Sequence, residues 1–321
     1  MKNEPLKVIF FGTPEFSVAS LDILIVNGYN VVAVVTAPDK PAGRGLELKL
    51  SAVKEYALKK NLKILQPENL KSESFINQLN ELKPTLGIVI AFRKLPKEVW
   101  SLPVHGTFNL HASLLPHYRG AAPINWAIIN GEKETGVTTF FLNEDIDTGS
   151  IIFREKENIS QVDSAEDLYS RLMKLGAQLM LKTVRAIETD NYTLQIQSSL
   201  LKSGEVVKMA PKIFKPDCKI NWEKSSDQIY NFVRGLSPYP ASWTELKKNN
   251  DTLSLKIFQC KKEVLTHQLS IGTIYSDGKT FVKVVVSDGF IHLLDLQLAG
   301  RKKMQTEEFL RGFSFEGWKI N

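Results

Sequence analysis

Three polar residues, Asn109, His111 and Asp147, have side chains suited to acyl-transfer chemistry. Asn109 and His111 follow the β-like run Thr107–Phe108. Because alternate residues of a strand share a face, we expect both to point the same way, together with Ser113. A carboxamide donates hydrogen bonds to a developing oxyanion, and an imidazole moves protons. Taken alone, the pattern Asn-x-His on a strand is more often a pair of hydrogen-bonded polar residues without a chemical role than a catalytic pair.

The carboxylate of Asp147 belongs to a second polar segment, Glu144–Gly149 (EDIDTG), which directly follows a predicted strand that ends at Leu142. In open α/β sheets, ligands bind beyond the carboxyl ends of the strands, where a carboxylate can orient or charge an imidazole. The alternative is a turn or capping role beside Thr148, which Asp often fills. The two segments together predict an acyl-transfer site at strand ends.

The first half of the chain alternates apolar runs with helical patterns, and this alternation predicts the elements that hold the site. The predicted strands are Leu6–Phe11, Val31–Thr36, Ile64–Leu65, Leu86–Phe92, Thr107–Ala112, Gly136–Leu142 and Ile151–Ile159, the last at a sheet edge. The predicted helices are Phe16–Val26, Ala52–Leu62 and Glu73–Leu82. Apolar strands separated by helices indicate an α/β fold with a parallel sheet covered on both faces.

A long amphipathic helix closes this region. Ser164 and Asp167 fit a capping box, and the apolar repeat after them predicts a helix that runs to about Glu188.

Beyond this helix the residue pattern changes from alternating strands and helices to a polar connector and short strands. Residues 190–212 form a polar connector, and short β-like runs with turn signals such as Asp288-Gly289 follow, after a helix predicted over Ser226–Leu236. The sequence therefore predicts a catalytic domain over 1–189, a linker over 190–212 and a smaller β-barrel-like domain over 213–321.

Composition and charge narrow the class of protein. The chain has 321 residues, 43% hydrophobic and 24% charged, which is typical of a soluble globular protein. No apolar stretch approaches the ~20 residues of a membrane span, and we see no secretory signal, so we expect a cytoplasmic protein. The net charge is +6, and residues 213–321 carry +4 of it (16 Lys+Arg against 12 Asp+Glu), which weakly indicates a polyanionic partner. Cys218 and Cys260 lack metal-like spacing, so we expect two reduced thiols and no metal.

The motif around the site resembles the folate-dependent formyltransferase superfamily. That resemblance rests on Phe108–Ile124 (FNLHASLLPHYRGAAPI) followed by Asp145–Gly149 (DIDTG). Further segments resemble the branch of the superfamily that acts on methionyl-tRNA, and they spread over nearly the whole chain: Phe10–Phe16, Ala37–Gly45, Met209–Ile213 and Leu298–Met304.

The resemblance implies a reaction and a set of residues. It implies 10-formyltetrahydrofolate as the formyl donor and the amino group of initiator methionyl-tRNA as the acceptor. It implies catalytic roles for Asn109, His111 and Asp147, and a folate-contacting segment at Ser113, Leu114, Leu115 and Pro116. It further implies a Rossmann-type first domain and an OB-like second domain.

The segment Ala37–Leu50 is predicted to be a loop that carries Lys40, Arg44 and Lys49. The resemblance implies that this segment binds the acceptor end of tRNA. The alternative is a solvated, flexible connection without a binding role.

One departure from the family lies at the end of the third long strand, where Ala91-Phe92-Arg93 replaces the family's Ala-Tyr-Gly. We expect Arg93 to point outward and folate binding to be retained.

Two other functions fit parts of the pattern. A sugar-nucleotide N-formyltransferase would share Asn109, His111 and Asp147, but it would need neither the basic loop nor the basic C-terminal domain. A tRNA-binding module with an inactive catalytic domain would not need these three residues. We expect a monomer, because one tRNA for each chain requires no symmetry.

Overall fold

The computed structural model describes residues 5–42 and 47–320. The chain divides into two compact units. The first consists of Met1–Gly120, Thr135–Glu157 and Tyr169–Met209, and the second of Ala121–Glu134, Asn158–Leu168 and Ala210–Asn321. The domain boundaries inferred from the sequence stay a prediction.

In chain order, the elements up to residue 188 are β1 (Lys7–Gly12), α1 (Glu15–Val26), β2 (Asn30–Val35), β3 (Lys40–Ala42), β4 (Glu47–Lys49), α2 (Ala52–Lys59), β5 (Ile64–Leu65), α3 (Glu73–Leu82), β6 (Leu86–Ile90), α4 (Lys97–Trp100), β7 (Thr107–His111), α5 (Pro123–Ile129), β8 (Glu134–Phe141), β9 (Ile151–Asn158) and α6 (Ala165–Glu188). The later ones are α7 (Ser226–Gly235), β10 (Ser242–Lys248), β11 (Asp251–Val264), β12 (Ile274–Ser276), β13 (Val282–Val286), β14 (Gly289–Leu298), β15 (Met304–Gln305), α8 (Thr306–Leu310) and β16 (Lys319–Ile320).

The sheet of the first unit has the strand order β5-β2-β1-β6-β7-β8-β9. Its strands from β5 to β7 pair in parallel, which confirms the α/β prediction. β6 is buried throughout because helices cover a parallel sheet on both faces. β8 departs from the parallel pattern: it pairs antiparallel with β7, and Phe108 lies opposite Phe141. β9 lies at the edge, as predicted.

The helix α6 begins where the sequence predicts it. The Asp167 N–H donates to Ser164 Oγ at 3.2 Å, and the Ser164 N–H donates to Asp167 Oδ2 at 2.9 Å. This reciprocal pair satisfies two donors that a helix start would otherwise leave unpaired.

The segment predicted to be a loop between residues 37 and 50 contains regular structure, which corrects that prediction. β3 and β4 pair antiparallel, and Lys40 lies directly opposite Lys49. Hydrogen bonds hold the base of this hairpin, because Gln66 Nε2 donates to the carbonyl oxygen of Ala37 at 2.8 Å and to Asp39 Oδ1 at 2.9 Å. Lys54 also pairs with Asp39. Such long-range contacts do not leave a local sequence signal.

The second unit contains the antiparallel sheet of the C-terminal region, with the order β12-β13-β14-β11-β10-β16 and β15 paired to β14. This confirms the predicted small β domain, and β13 and β14 meet at the predicted Asp288-Gly289 turn. A capping box on Ser225 and Gln228 starts α7. The core of the unit combines strand and helix residues, among them Ile229, Val233, Leu255, Val284, Ile291 and Phe309.

Across the described residues, no helix is both long and apolar enough to cross a membrane.

Candidate active site

His111 is the last residue of β7, and its imidazole is buried and held by the main chain. Its Nε2 lies 2.8 Å from the carbonyl oxygen of Tyr118. A carbonyl oxygen only accepts, so Nε2 carries the hydrogen, and Nδ1 of the neutral ring is left as the acceptor. Residue types alone do not give this tautomer. It is assigned from the hydrogen-bond geometry.

Asp147 lies in the loop between β8 and β9, as the sequence predicts, and its carboxylate approaches the free side of this imidazole. Asp147 Oδ2 is 3.9 Å from His111 Nδ1, and the two side chains are 11% and 8% exposed. That distance suits an ion pair but is too long for a direct hydrogen bond. The same oxygen accepts the Gly120 N–H at 2.9 Å. A small group that carries two N–H or O–H hydrogens and lies between these atoms would donate hydrogen bonds to both Nδ1 and Oδ2.

The backbone at Asp147 is left-handed, with φ 56°. Asp is one of the few residues with a side chain that adopts this conformation regularly. The carboxylate faces the segment that follows β7, where the carbonyl oxygen of Tyr118 accepts from the imidazole and the Gly120 N–H donates to the carboxylate.

Asn109 lies two residues before His111 on β7, beside Val89 of β6. Its Oδ1 atom is buried and has no hydrogen-bond partner among the described residues. A buried polar atom left unpaired costs roughly 1–3 kcal/mol, and native structures rarely carry one without a reason. The carboxamide is therefore positioned for a partner that the folded chain does not itself supply.

The segment Ser113–Pro116 continues from the end of β7 but does not present its side chains as a strand would. Ser113 Oγ donates to the carbonyl oxygen of His117 at 2.7 Å, so it does not point beside His111 as expected for an extended strand. Ser113, Leu115 and Pro116 are buried, and Leu114 is half-buried. Leu115 packs in the core with Phe140.

Main-chain atoms of this segment are also engaged. Thr138 Oγ1 donates to the carbonyl oxygen of Ser113 at 2.6 Å and accepts the Leu115 N–H at 3.1 Å. Arg154 donates to the carbonyl oxygen of Leu115 at 3.1 Å. Of the predicted folate-contacting side chains, Leu114 is thus the most accessible.

Two residues that the sequence reading missed support the site. Arg119 donates to Gln197 Oε1 through Nε at 3.1 Å and Nη2 at 2.7 Å. Gln197 Nε2 donates to the carbonyl oxygens of Asp147 and Gly149, both at 2.9 Å. Arg119 lies inside the recognised motif and was detectable there. Gln197 lies in the polar connector, and no local pattern marks it.

Two of the residues predicted to contact tRNA, Lys40 and Lys49, lie on the paired strands β3 and β4. Lys40 and Lys49 are exposed and opposite each other. Arg44 lies outside the described residues.

Arg93 follows the end of β6 and is exposed, as expected, with its guanidinium bonded to the carbonyl oxygens of Pro67 and Glu68. It borders a cleft of about 620 Å³ whose lining includes Lys94 and Lys97.

Metal ligands do not cluster here: within residues 5–42 and 47–320, no group of three His, Cys, Asp or Glu side chains is placed to hold a metal ion.

Known families match both parts of the chain. Residues 6–184 match the family model described as formyl transferase, and residues 212–314 match the one described as formyl transferase, C-terminal domain. The methionyl-tRNA formyltransferase of Bacteroides thetaiotaomicron is 51% identical over 323 residues, which covers 100% of each chain. That of Flavobacterium johnsoniae is 53% identical over 312 residues, 97% of this chain and 98% of its own.

A solved structure shares the fold at lower identity. The sugar 3N-formyl transferase WlaRD, crystallised in the presence of dTDP and 5-N-formyl-THF, aligns with a TM-score of 0.63 and 22% identity over 93% of this chain and 100% of its own.

Proposed function

This chain belongs to the formyl transferase family, and we propose that it transfers the formyl group of 10-formyltetrahydrofolate to the free amino group of initiator methionyl-tRNA. The observation that carries the proposal is identity of about half over full length with methionyl-tRNA formyltransferases, 51% in the Bacteroides thetaiotaomicron protein. The site geometry supports the same reaction class and suggests how each residue contributes.

The attacking amine must be neutral, and it must lose a proton as it bonds to the formyl carbon. A free α-amino group has a pKa of roughly 7.7–8.0, so much of it is already neutral near physiological pH. Because Nε2 of His111 is bonded to a carbonyl oxygen, Nδ1 is the atom we propose to accept the second proton. Asp147, 3.9 Å from Nδ1, then faces a developing imidazolium and stabilises its charge.

The formyl oxygen becomes an oxyanion when the carbon turns tetrahedral. We assign its stabilisation to the Nδ2 hydrogens of the Asn109 carboxamide, because an amide nitrogen donates and Asn109 lies two residues before His111 on β7. The intermediate collapses when the bond between the formyl carbon and the folate nitrogen breaks. The proton held on His111 passes to that leaving nitrogen, so the imidazole ends neutral as it began.

The hairpin β3–β4 supports a polyanionic acceptor. Like charges directly opposite each other on two strands repel, and Lys40 and Lys49 are such a pair. The chain retains this unfavourable pair at an exposed position, and phosphates of a tRNA acceptor stem would neutralise it. We therefore propose that Lys40, Lys49 and Arg44 contact tRNA.

The donor is proposed to lie at the carboxyl ends of β6 and β7, with Leu114 available to a pterin ring. The cleft after β6 is of the size that small ligands occupy. Its lining carries more basic than acidic residues, namely Lys71, Arg93, Lys94 and Lys97 against Glu68 and Glu98. A folate carries glutamyl carboxylates, so its anionic end suits this cleft.

A sugar-nucleotide N-formyltransferase remains the rival function. The similarity to WlaRD, at 22% identity, supports the fold alone. A cytoplasmic monomer stays a prediction.

The test is formyl transfer from 10-formyltetrahydrofolate to initiator methionyl-tRNA, with elongator methionyl-tRNA and an amino sugar nucleotide as competing acceptors. Transfer to the initiator tRNA alone would support the proposal. Preferential transfer to the sugar, or no transfer to either, would overturn it.

Asn109→Ala tests the assigned site. If the carboxamide stabilises the oxyanion, kcat falls by roughly 10²–10³ while the KM for each substrate changes little. A variant with wild-type kcat would remove Asn109 from the mechanism.

A further inference from the structure

We propose that Gln197 is a positioning residue that holds Asp147 and His111 in their reactive geometry; this inference rests on the proposed function. Gln197 lies in a short 3-10 turn, Gln197–Leu200, 50 residues beyond Asp147 in the chain. The residue is 2% exposed. A buried carboxamide at this depth is retained only when its hydrogen-bonding capacity is used.

Every hydrogen-bonding position of this side chain is filled. Both Nε2 hydrogens go to carbonyl oxygens, those of Asp147 and Gly149. Both acceptor positions of Oε1 take N–H groups of Arg119. The orientation of the amide follows uniquely, because carbonyl oxygens require the NH₂ group and a guanidinium requires the oxygen.

The two carbonyl oxygens belong to Asp147 itself and to Gly149, two residues later in the same loop. Asp147 is left-handed, and its carbonyl oxygen and that of Gly149 converge on one amide nitrogen. Asp adopts a left-handed backbone more readily than most side chains, but the conformation still costs free energy, so it persists where the surroundings constrain it. Gln197 supplies that constraint, and it leaves the carboxylate free to face His111.

The opposite end of the amide reaches the segment that holds the imidazole. Arg119 lies between Tyr118, whose carbonyl oxygen binds His111 Nε2, and Gly120, whose N–H binds Asp147 Oδ2. Gln197 therefore links the two segments that position the proton acceptor and its carboxylate partner. A shift of either segment changes the 3.9 Å separation of Nδ1 and Oδ2.

The test compares Gln197→Leu, Gln197→Glu and the matched control Gln195→Leu. Gln195 is exposed and lies two residues earlier in the same connector. We expect kcat of Gln197→Leu to fall by about 10²-fold, the cost typical of a misplacement of about 1 Å. The KM values for folate and tRNA should stay within about twofold, and Gln195→Leu should match wild type.

Gln197→Glu separates the two ends of the amide. A carboxylate still accepts from Arg119 but donates nothing to the carbonyl oxygens of Asp147 and Gly149. If holding the Asp147 loop matters, Gln197→Glu is at least as slow as Gln197→Leu. A Glu variant with wild-type kcat would overturn the proposal, and thermal unfolding shows that each variant is folded.

A double variant gives a readout that general destabilisation does not. In Asp147→Asn, which already lacks the carboxylate, Gln197→Leu should reduce kcat by a much smaller factor than in wild type, because interacting residues are not additive. Equal factors in both backgrounds would overturn the positioning role. A wild-type protein without formyl transfer would overturn the proposed function and this inference together, whereas an active wild type with an unaffected Gln197→Leu would overturn this inference alone.

Discussion

A methyl group added at Gly149 offers a sharp test of how the Asp147 loop is held. A Cβ at this position would lie 1.7 Å from the carbonyl oxygen of Phe141. Carbon and oxygen atoms that are not bonded to each other stay at least about 3 Å apart. The backbone of Gly149→Ala must therefore separate from the end of β8 by roughly 1.3 Å. The neighbouring hydrogen bond from the Phe141 N–H to the Ser150 carbonyl oxygen, 3.0 Å long, would be strained or lost.

That displacement is of the size that disturbs catalysis. Asp147 lies two residues before Gly149, and the same Gln197 amide binds the carbonyl oxygens of both. A misplacement of about 1 Å costs about 10²-fold in rate, so kcat should fall by roughly that factor. Overpacking of this kind typically destabilises by roughly 1–3 kcal/mol, which should appear as a lower Tm.

The assay is steady-state formyl transfer together with thermal unfolding. Gly312→Ala is the matched control, because the nearest atom to its added methyl would be Arg301 Nη1 at 3.9 Å. The control should keep wild-type kcat and Tm. Gly149→Ala with wild-type kcat and Tm would refute the view that the close packing of this loop sets the position of the carboxylate.

Three further outcomes are expected. Arg44→Ala should raise the KM for methionyl-tRNA without changing the KM for folate. The salt dependence of tRNA binding should weaken by the amount that one phosphate contact contributes, and equal losses for both substrates would argue against a tRNA role. Burial raises the pKa of the Cys260 thiol to about 12, so a thiol reagent at pH 8 should label this residue only after unfolding, and rapid labelling of the native protein would contradict that. The hydrogen bond from His292, with Lys283 nearby, lowers the pKa of Glu263 from 4.5, so its stabilising contribution is present above the unfolded pKa and is lost as the pH falls through the folded one. The free energy of unfolding of wild type should thus exceed that of Glu263→Gln at pH 7, and the difference should disappear in acid. Urea unfolding at several pH values measures this difference, and a difference that does not change with pH would contradict the prediction.

Local patterns determined much of the first sheet and its covering helices. The apolar run Leu86–Phe92 predicted β6 because a strand covered on both faces carries few polar residues. Ser164 and Asp167 marked the start of α6 because a helix start requires side-chain acceptors for its free N–H groups. These predictions succeeded because the responsible interactions lie within a few residues of one another.

The hairpin β3–β4 and the direction of β8 were missed. Both depend on contacts between distant residues, such as Gln66 with Ala37 and Phe108 with Phe141. A short polar segment reads as a loop from composition, and an apolar run does not reveal in which direction it will pair.

By itself, the sequence determined which residue types meet near the end of β7: Asn109 and His111 at strand spacing, and Asp147 in a loop after a later strand. Only the tertiary structure decided which imidazole nitrogen is free and how the carboxylate faces it. The physical reason is that the deciding partners include the carbonyl oxygen of Tyr118 and the N–H of Gly120, which are main-chain groups that every non-proline residue carries. Their positions, and that of Gln197, are set when the folded chain brings separate segments together.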